Sequence, residues 1–171
     1  WYFDFYGRFM MFKIGDRAVY PAQGVVEIKA IEAKEFAGGQ NEFYILRIIN
    51  TDMTIMVPIA NANTVGMRCL IDSECIQKVF GILKEKKPIN GNIASWSRRQ
   101  KIYQDKIKSG DLIEVAEVLR ELYFIKEDKD LSYGEKKFMD HARKLLVQEI
   151  AIAQGISEEQ IAEKVEKIFL Q

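Results

Sequence analysis

Seven consecutive residues, Ser95-Trp96-Ser97-Arg98-Arg99-Gln100-Lys101, set one indole beside three cations. Serine is a residue type that caps helices. A cap at Ser95 puts Trp96 in a first helical turn, among backbone N–H groups that lack intrahelical partners and favour anions such as phosphate. An apolar ring flanked by cations suits a distorted nucleic acid: the ring enters an opened base step and the cations hold the backbone. From the residues alone, Trp96 fits that wedge and a packed core position equally, because tryptophan is highly buried on average. Arg98, Arg99 and Lys101 likewise fit either phosphate contacts or a solvated helix face.

No other cluster has the types and spacing for catalysis. Cys69 and Cys75 do not form a CxxC pair, and the single histidine, His141, is remote from both. A structural metal site is therefore not expected. Nor is there a glycine-rich phosphate loop, or a nucleophile placed beside the histidine. The expectation is a binding protein and not an enzyme, with no cofactor, no metal and no small-molecule substrate. No apolar run has the length needed to span a bilayer, and no secretory signal pattern is present, so the expected location is the cytoplasm.

The chain carries 25 cations and 25 anions, which excludes a generic polyanion coat. Its charge is nonetheless patterned. Lys84 to Lys108 holds eight cations against Glu85 and Asp105, whereas the later segment leans acidic. A basic stripe on a neutral chain points to one defined contact.

These residues need elements to position them. With 171 residues, 48% of them apolar, the chain can bury one or two cores. Residues 12–58 alternate β-branched and aromatic positions between turn residues such as Gly38-Gly39 and Asn50-Thr51-Asp52, which predicts a small antiparallel barrel. Ile76, Val79, Phe80 and Leu83 fall at helical spacing after Asp72 or Ser73 as a cap. Residues 84–94, with Pro88 and Gly91, read as a linker. The remainder is helical. Ser95, Asp111, Ser132 and Ser157 mark helix starts, the last three in capping-box patterns with Glu114, Glu135 and Gln160. The helix from Ser95 ends near Gly110, and Gly155 marks a later helix end. The expected architecture is therefore α+β in two domains: a barrel with a terminal helix over residues 11–83, then a compact all-α domain over 95–171. Residues 1–10 are dense in aromatics without a period and are taken as an extension ahead of the fold.

Several stretches, in order, resemble the CarD/CdnL family of bacterial transcription regulators. They begin with Phe12-Lys13-Ile14-Gly15-Asp16-Arg17-Ala18-Val19-Tyr20-Pro21, followed by Val57-Pro58 and Val65-Gly66-Met67-Arg68. Trp96-Ser97-Arg98-Arg99, Val115-Ala116-Glu117-Val118-Leu119-Arg120-Glu121-Leu122 and Leu131-Ser132-Tyr133-Gly134-Glu135-Lys136 continue the likeness. The resemblance implies a Tudor/SH3-like barrel of the kind shared with the transcription-repair coupling factor, docking on the RNA polymerase β subunit. It implies a helical half that contacts promoter DNA at the upstream edge of the melted region. There the family tryptophan wedges into the minor groove and stabilises the open complex, as on ribosomal-RNA-type promoters. Trp96, Arg98 and Arg99 match the DNA-facing positions, to which the basic run adds Lys101, and Lys34, Met56 and Pro58 match the polymerase-facing ones. Two positions depart from many members: Gln100 stands where an aromatic is common, and Met56 where some branches carry arginine. The chain resembles the short, stand-alone form.

The expectation is thus a transcription regulator that does no chemistry, binds the polymerase β subunit and promoter DNA with little base preference, and associates with the nucleoid through polymerase. The alternative is a polymerase-bound adaptor whose helices recruit another protein, with Trp96 as an interface anchor.

Overall fold

The computed structural model describes residues 11–86 and 95–170. They fall into two compact units that meet in sequence between Leu70 and Ile71. The extension expected at residues 1–10 and most of the expected linker, residues 87–94, lie outside the described residues.

The first unit is a four-stranded antiparallel meander of β1 (Arg17–Tyr20), β2 (Gly24–Phe36), β3 (Gly39–Ile48) and β4 (Thr54–Pro58), in the order β1-β2-β3-β4. Its turns follow from local chemistry. Phe36 pairs with Gly39, so β2 and β3 are joined by Ala37-Gly38 alone, with φ of 53° and 79°. Positive φ at both central residues is the turn whose twist matches that of the flanking strands. The β2–β3 register slips between Ile28 and Ala30, and such a bulge bends a strand and increases its twist. The sheet curls far enough for Val19 on β1 to exchange both backbone hydrogen bonds with Arg68, at 2.8 and 3.2 Å.

The curl encloses a core of Val26, Ile28, Tyr44, Leu46, Ile48 and Val57, closed at one end by Phe12. Phe12 meets the Tyr44 ring edge-on at 6.0 Å, and its backbone N–H donates to the Tyr44 hydroxyl at 3.0 Å. That hydrogen bond lets a phenol sit in an apolar core without an unsatisfied oxygen. Burial pushes the Tyr44 hydroxyl pKa up.

The second unit contains α1 (Ser73–Lys84), α2 (Trp96–Ser109), α3 (Leu112–Asp128), α4 (Tyr133–Gln154) and α5 (Glu158–Phe169). Ser132 and Ser157 form the expected capping boxes with Glu135 and Gln160. Gly110 and Gly155 end α2 and α4 with left-handed φ of 75° and 67°, a conformation that glycine adopts without a Cβ penalty. Asp111 caps α3 from the Ile113 N–H rather than in the expected box with Glu114. Ser95 occupies the N-cap of α2, but its hydroxyl makes no capping bond. Leu119, Leu122, Leu146, Ile150 and Ile161 are fully buried and form the centre of the unit.

The structure moves one boundary. Helix α1 was expected to finish the barrel domain at residue 83, yet it belongs to the helical unit. It packs against α3 and α5 and buries Ile76, Val79 and Leu83. Arg120 of α3 donates to the Ile82 carbonyl and to Glu85 at the C-terminal end of α1. The N–H of Ile71 donates to Glu149 of α4 at 3.1 Å. An apolar stripe shows only that a helix is packed; these polar ties determine which unit it is packed in.

Candidate functional site

The barrel sheet has a core face and an outer face, and register decides which residues share each. Cα partners in a ladder point to the same side. Pro58 pairs with Phe43, which pairs with Glu32; Met56 pairs with Ile45, which pairs with Ala30; Lys34 pairs with Asn41 one step further along the β2–β3 ribbon. Lys34 is far from Met56 and Pro58 in sequence, and this register brings all three onto the outer face. Met56 is 47% exposed. Lys34 is exposed beside Glu32, 3.5 Å from its carboxylate. Strand β4 ends the sheet order, so among the described strands one of its edges has no partner. Arg47 closes the other end of this face by bridging Glu27 and Asp52, each at 2.7 Å. The Arg47 hydrogen bond is the main cause of the lowered Glu27 carboxyl pKa.

Helical period sorts the residues of α2 into two groups. Positions three and four apart share a face, so Trp96, Arg99, Tyr103 and Ile107 turn toward the unit, while Arg98, Lys101 and Lys108 are exposed. Trp96 is half-buried. Its ring meets Phe138 edge-on at 6.0 Å, and the Tyr103 ring also meets Phe138 edge-on, at 5.8 Å. Arg98 and Lys101 make no ion pair among the described residues. They are exposed cations on the face of α2 turned away from the unit.

Arg99 departs from expectation. It was assigned to DNA phosphate with Arg98 and Lys101, but it is only 4% exposed. One guanidinium nitrogen donates to Glu135 Oε1 at 2.6 Å and another to the Tyr103 hydroxyl at 3.5 Å. The guanidinium carbon lies 5.4 Å from the Trp96 ring centroid, within cation–π range. A buried guanidinium held by a buried carboxylate is not free to meet a phosphate, so the phosphate contact expected of Arg99 does not fit its place in the fold.

Glu135 is the residue that sequence reasoning undervalued. It was read as half of a capping box, and it is one: Oε2 accepts from the Ser132 N–H at 2.8 Å. The box leaves Oε1 for Arg99, with Lys129 Nζ 3.7 Å away. Burial opposes ionisation of this carboxyl, but the hydrogen bonds from Ser132 and Arg99 outweigh it and hold its pKa down to about 2. Two neighbours were also passed over. Gly134 lies directly against the Trp96 indole. Tyr133 is 75% exposed, and the ammonium of Lys137 lies 4.8 Å from its ring centroid. The legible signal was a glycine inside the first turn of a well-capped helix, where alanine is the better helix former.

Among the described residues no group of three metal-ligating side chains gathers, and no helix is long and apolar enough to cross a membrane. Cys69 and His141 lie at the surface, and Cys75 is partly buried.

Two family models match the chain. One is described as the CarD-like/TRCF RID domain, over residues 12–71, and the other as the CarD C-terminal domain, over residues 78–166. YdeB of Bacillus subtilis (strain 168), a candidate transcription factor, is 36% identical over 151 residues, spanning 88% of this chain and 97% of that protein. A solved structure described as CdnLNt from Myxococcus xanthus is 48% identical, covers 37% of this chain and 90% of its own, and superposes with a TM-score of 0.33.

Proposed function

This chain belongs to the CarD/CdnL family of transcription regulators, which is not an enzyme family, and we propose that it binds the RNA polymerase β subunit and stabilises the open promoter complex. The barrel supplies the polymerase contact through Lys34, Met56 and Pro58, with the β4 edge able to accept a strand from its partner. The helical unit supplies the DNA contact. Trp96 enters the minor groove at the upstream edge of the bubble, and Arg98 and Lys101 meet the adjoining phosphates.

The observation that carries this reading is the sorting of α2. The indole is held at the rim of a packed unit, while two unpaired cations stand exposed on the same helix. A ring inserted at a base step costs unstacking, and a junction that is already open lowers that cost. Phosphate contacts position the protein without reading sequence, so specificity comes from polymerase recruitment and the shape of the junction. No chemistry is required. A protein that binds the open state better than the closed state shifts the equilibrium by its differential affinity alone.

The test is the lifetime of the open complex after competitor challenge on a ribosomal-RNA-type promoter. Wild-type protein lengthens it. Trp96→Ala loses roughly tenfold or more of that effect, the scale of a tryptophan hot spot, while still binding polymerase. Met56→Glu puts a charge on an apolar contact and loses polymerase binding first. Equal lifetimes with wild type and Trp96→Ala defeat the wedge.

The adaptor reading draws on the exposed Tyr133 and Ile102, apolar surface that also suits a protein partner. Trp96 fluorescence, read in a Trp1→Phe background, separates the two. Quenching by promoter DNA in the polymerase complex belongs to the wedge, and an unchanged signal belongs to the adaptor.

A further inference from the structure

Trp96 is bracketed on three sides by its own unit. A Cβ placed on Gly134 would stand 2.6 Å from Trp96 Cζ2, and 3.4 and 3.5 Å from Cη2 and Cε2. The benzo ring therefore lies on bare backbone in the first turn of α4, a contact that no side-chain-bearing residue permits without moving it. Phe138 follows four residues on, which places it on the same helix face, and it meets the indole edge-on at 6.0 Å. The third side is the Arg99 guanidinium, 5.4 Å from the ring centroid.

Arg99 is itself fixed. It comes from α2, as Trp96 does, but its partner Glu135 comes from α4 and sits beside Gly134 in the chain. Glu135 is held in turn by the Ser132 N–H. The residues that bracket the ring and those that hold the bracket are therefore one connected set spanning the start of α2 and the start of α4.

We propose that Arg99, through Glu135 and with Gly134 as the shelf, is a positioning residue that presents the Trp96 indole in one orientation. Arg99 acts on nucleic acid only through Trp96. Ordering an interface side chain on binding carries an entropic cost, and a side chain already ordered avoids it. For one tryptophan the avoided cost corresponds to about two- to tenfold in affinity for the open junction. The functional consequence rests on the wedge reading; the positioning itself does not.

The experiment uses the full chain carrying Trp1→Phe, which leaves Trp96 as the single tryptophan. Gly134→Ala and Arg99→Lys are compared with this parent by far-UV circular dichroism, near-UV circular dichroism and time-resolved tryptophan anisotropy. Open-complex lifetime is then measured across a salt series. Alanine favours the helix at position 134, so Gly134→Ala keeps the far-UV signal while the added methyl dislodges the ring. Arg99→Lys keeps the charge but loses the planar fork that spans Glu135 and Tyr103. The expected result for both is a weaker near-UV band, faster indole motion and a lifetime two- to tenfold shorter, with the salt slope unchanged.

Unchanged indole spectra and anisotropy in Gly134→Ala overturn the proposal. So does an Arg99→Gln variant whose salt slope falls by about one, the signature of a lost phosphate contact. Loss of indole order in these variants, together with equal lifetimes for Trp96→Ala and the parent, leaves the positioning standing and defeats the wedge. The two readings therefore fail separately.

Discussion

Replacing Arg99 by methionine tests the buried network most directly. Methionine keeps much of the aliphatic bulk and removes the charge, which leaves the Glu135 carboxylate 2% exposed and without its arginine partner. Breaking a buried pair from one side costs about 3–5 kcal/mol. Glu135 retains the Ser132 N–H, and Lys129 stands 3.7 Å away on the solvent side, so the low end, about 3 kcal/mol, is expected. The ionisation of Glu135 is a separate contribution, set by Ser132 and Arg99 together. A carboxyl lowered from the ordinary glutamate value of about 4.3 to about 2 is worth about 3 kcal/mol of stability. Because the folded value is the depressed one, this contribution is fully present above about pH 5. It is lost as the pH falls from about 4.3 to about 2. Urea unfolding of wild type and Arg99→Met at pH 7, 4 and 3 measures both contributions. The variant is about 3 kcal/mol weaker at pH 7, and the gap narrows on acidification as protonation removes the unpaired charge. Arg99→Met/Glu135→Gln recovers much of the loss, since glutamine also closes a capping box. A loss below about 1 kcal/mol at pH 7, with the gap constant down to pH 3, would refute the reasoning: the pair would then be behaving like an exposed one.

Two further outcomes follow from single contacts. Tyr44→Phe leaves the buried Phe12 N–H without its acceptor and destabilises the barrel by about 1–3 kcal/mol; a melt of the barrel unit, with faster hydrogen exchange at the Phe12 amide, checks it. Arg98→Ala removes one exposed cation of α2 and lowers the slope of log affinity against log salt by about one on promoter DNA, whereas Lys78→Ala, at an exposed position of α1, leaves that slope unchanged.

Much of the fold was legible because patterning and punctuation agreed. The two capping boxes, the glycines at 110 and 155 and the β-rich stretch before Pro58 each have a local cause, and local causes can be read from sequence. Placing α1 with the barrel followed from its nearness in sequence. The ties that assign it to the helices, Ile71 to Glu149 and Arg120 to Glu85, span 78 and 35 residues and leave no local trace. The outer face of the barrel was intermediate. Lys34, Met56 and Pro58 were named through family resemblance, and their shared face follows only once the bulge between Ile28 and Ala30 is known. A one-residue slip exchanges the faces of a strand, so alternation alone does not place Lys34.

The arginines at 98 and 99 show why a charge run is a poor unit of inference. Adjacent residues on a helix point about 100° apart, so neighbours in a basic run seldom share a task. Here one residue's difference separates an exposed cation from a buried structural one. The periodic position of Arg99, three after Trp96 and four before Tyr103, already set it on the aromatic face, where a guanidinium needs a carboxylate to be tolerated. Glu135 met that need while also serving as a cap, and its second oxygen was the clue left unused. A capping glutamate consumes one oxygen on the backbone, so a buried one implies a second donor close by. Applied to a basic helix beside a capped one, that accounting separates cations that hold the fold from those left to meet a phosphate.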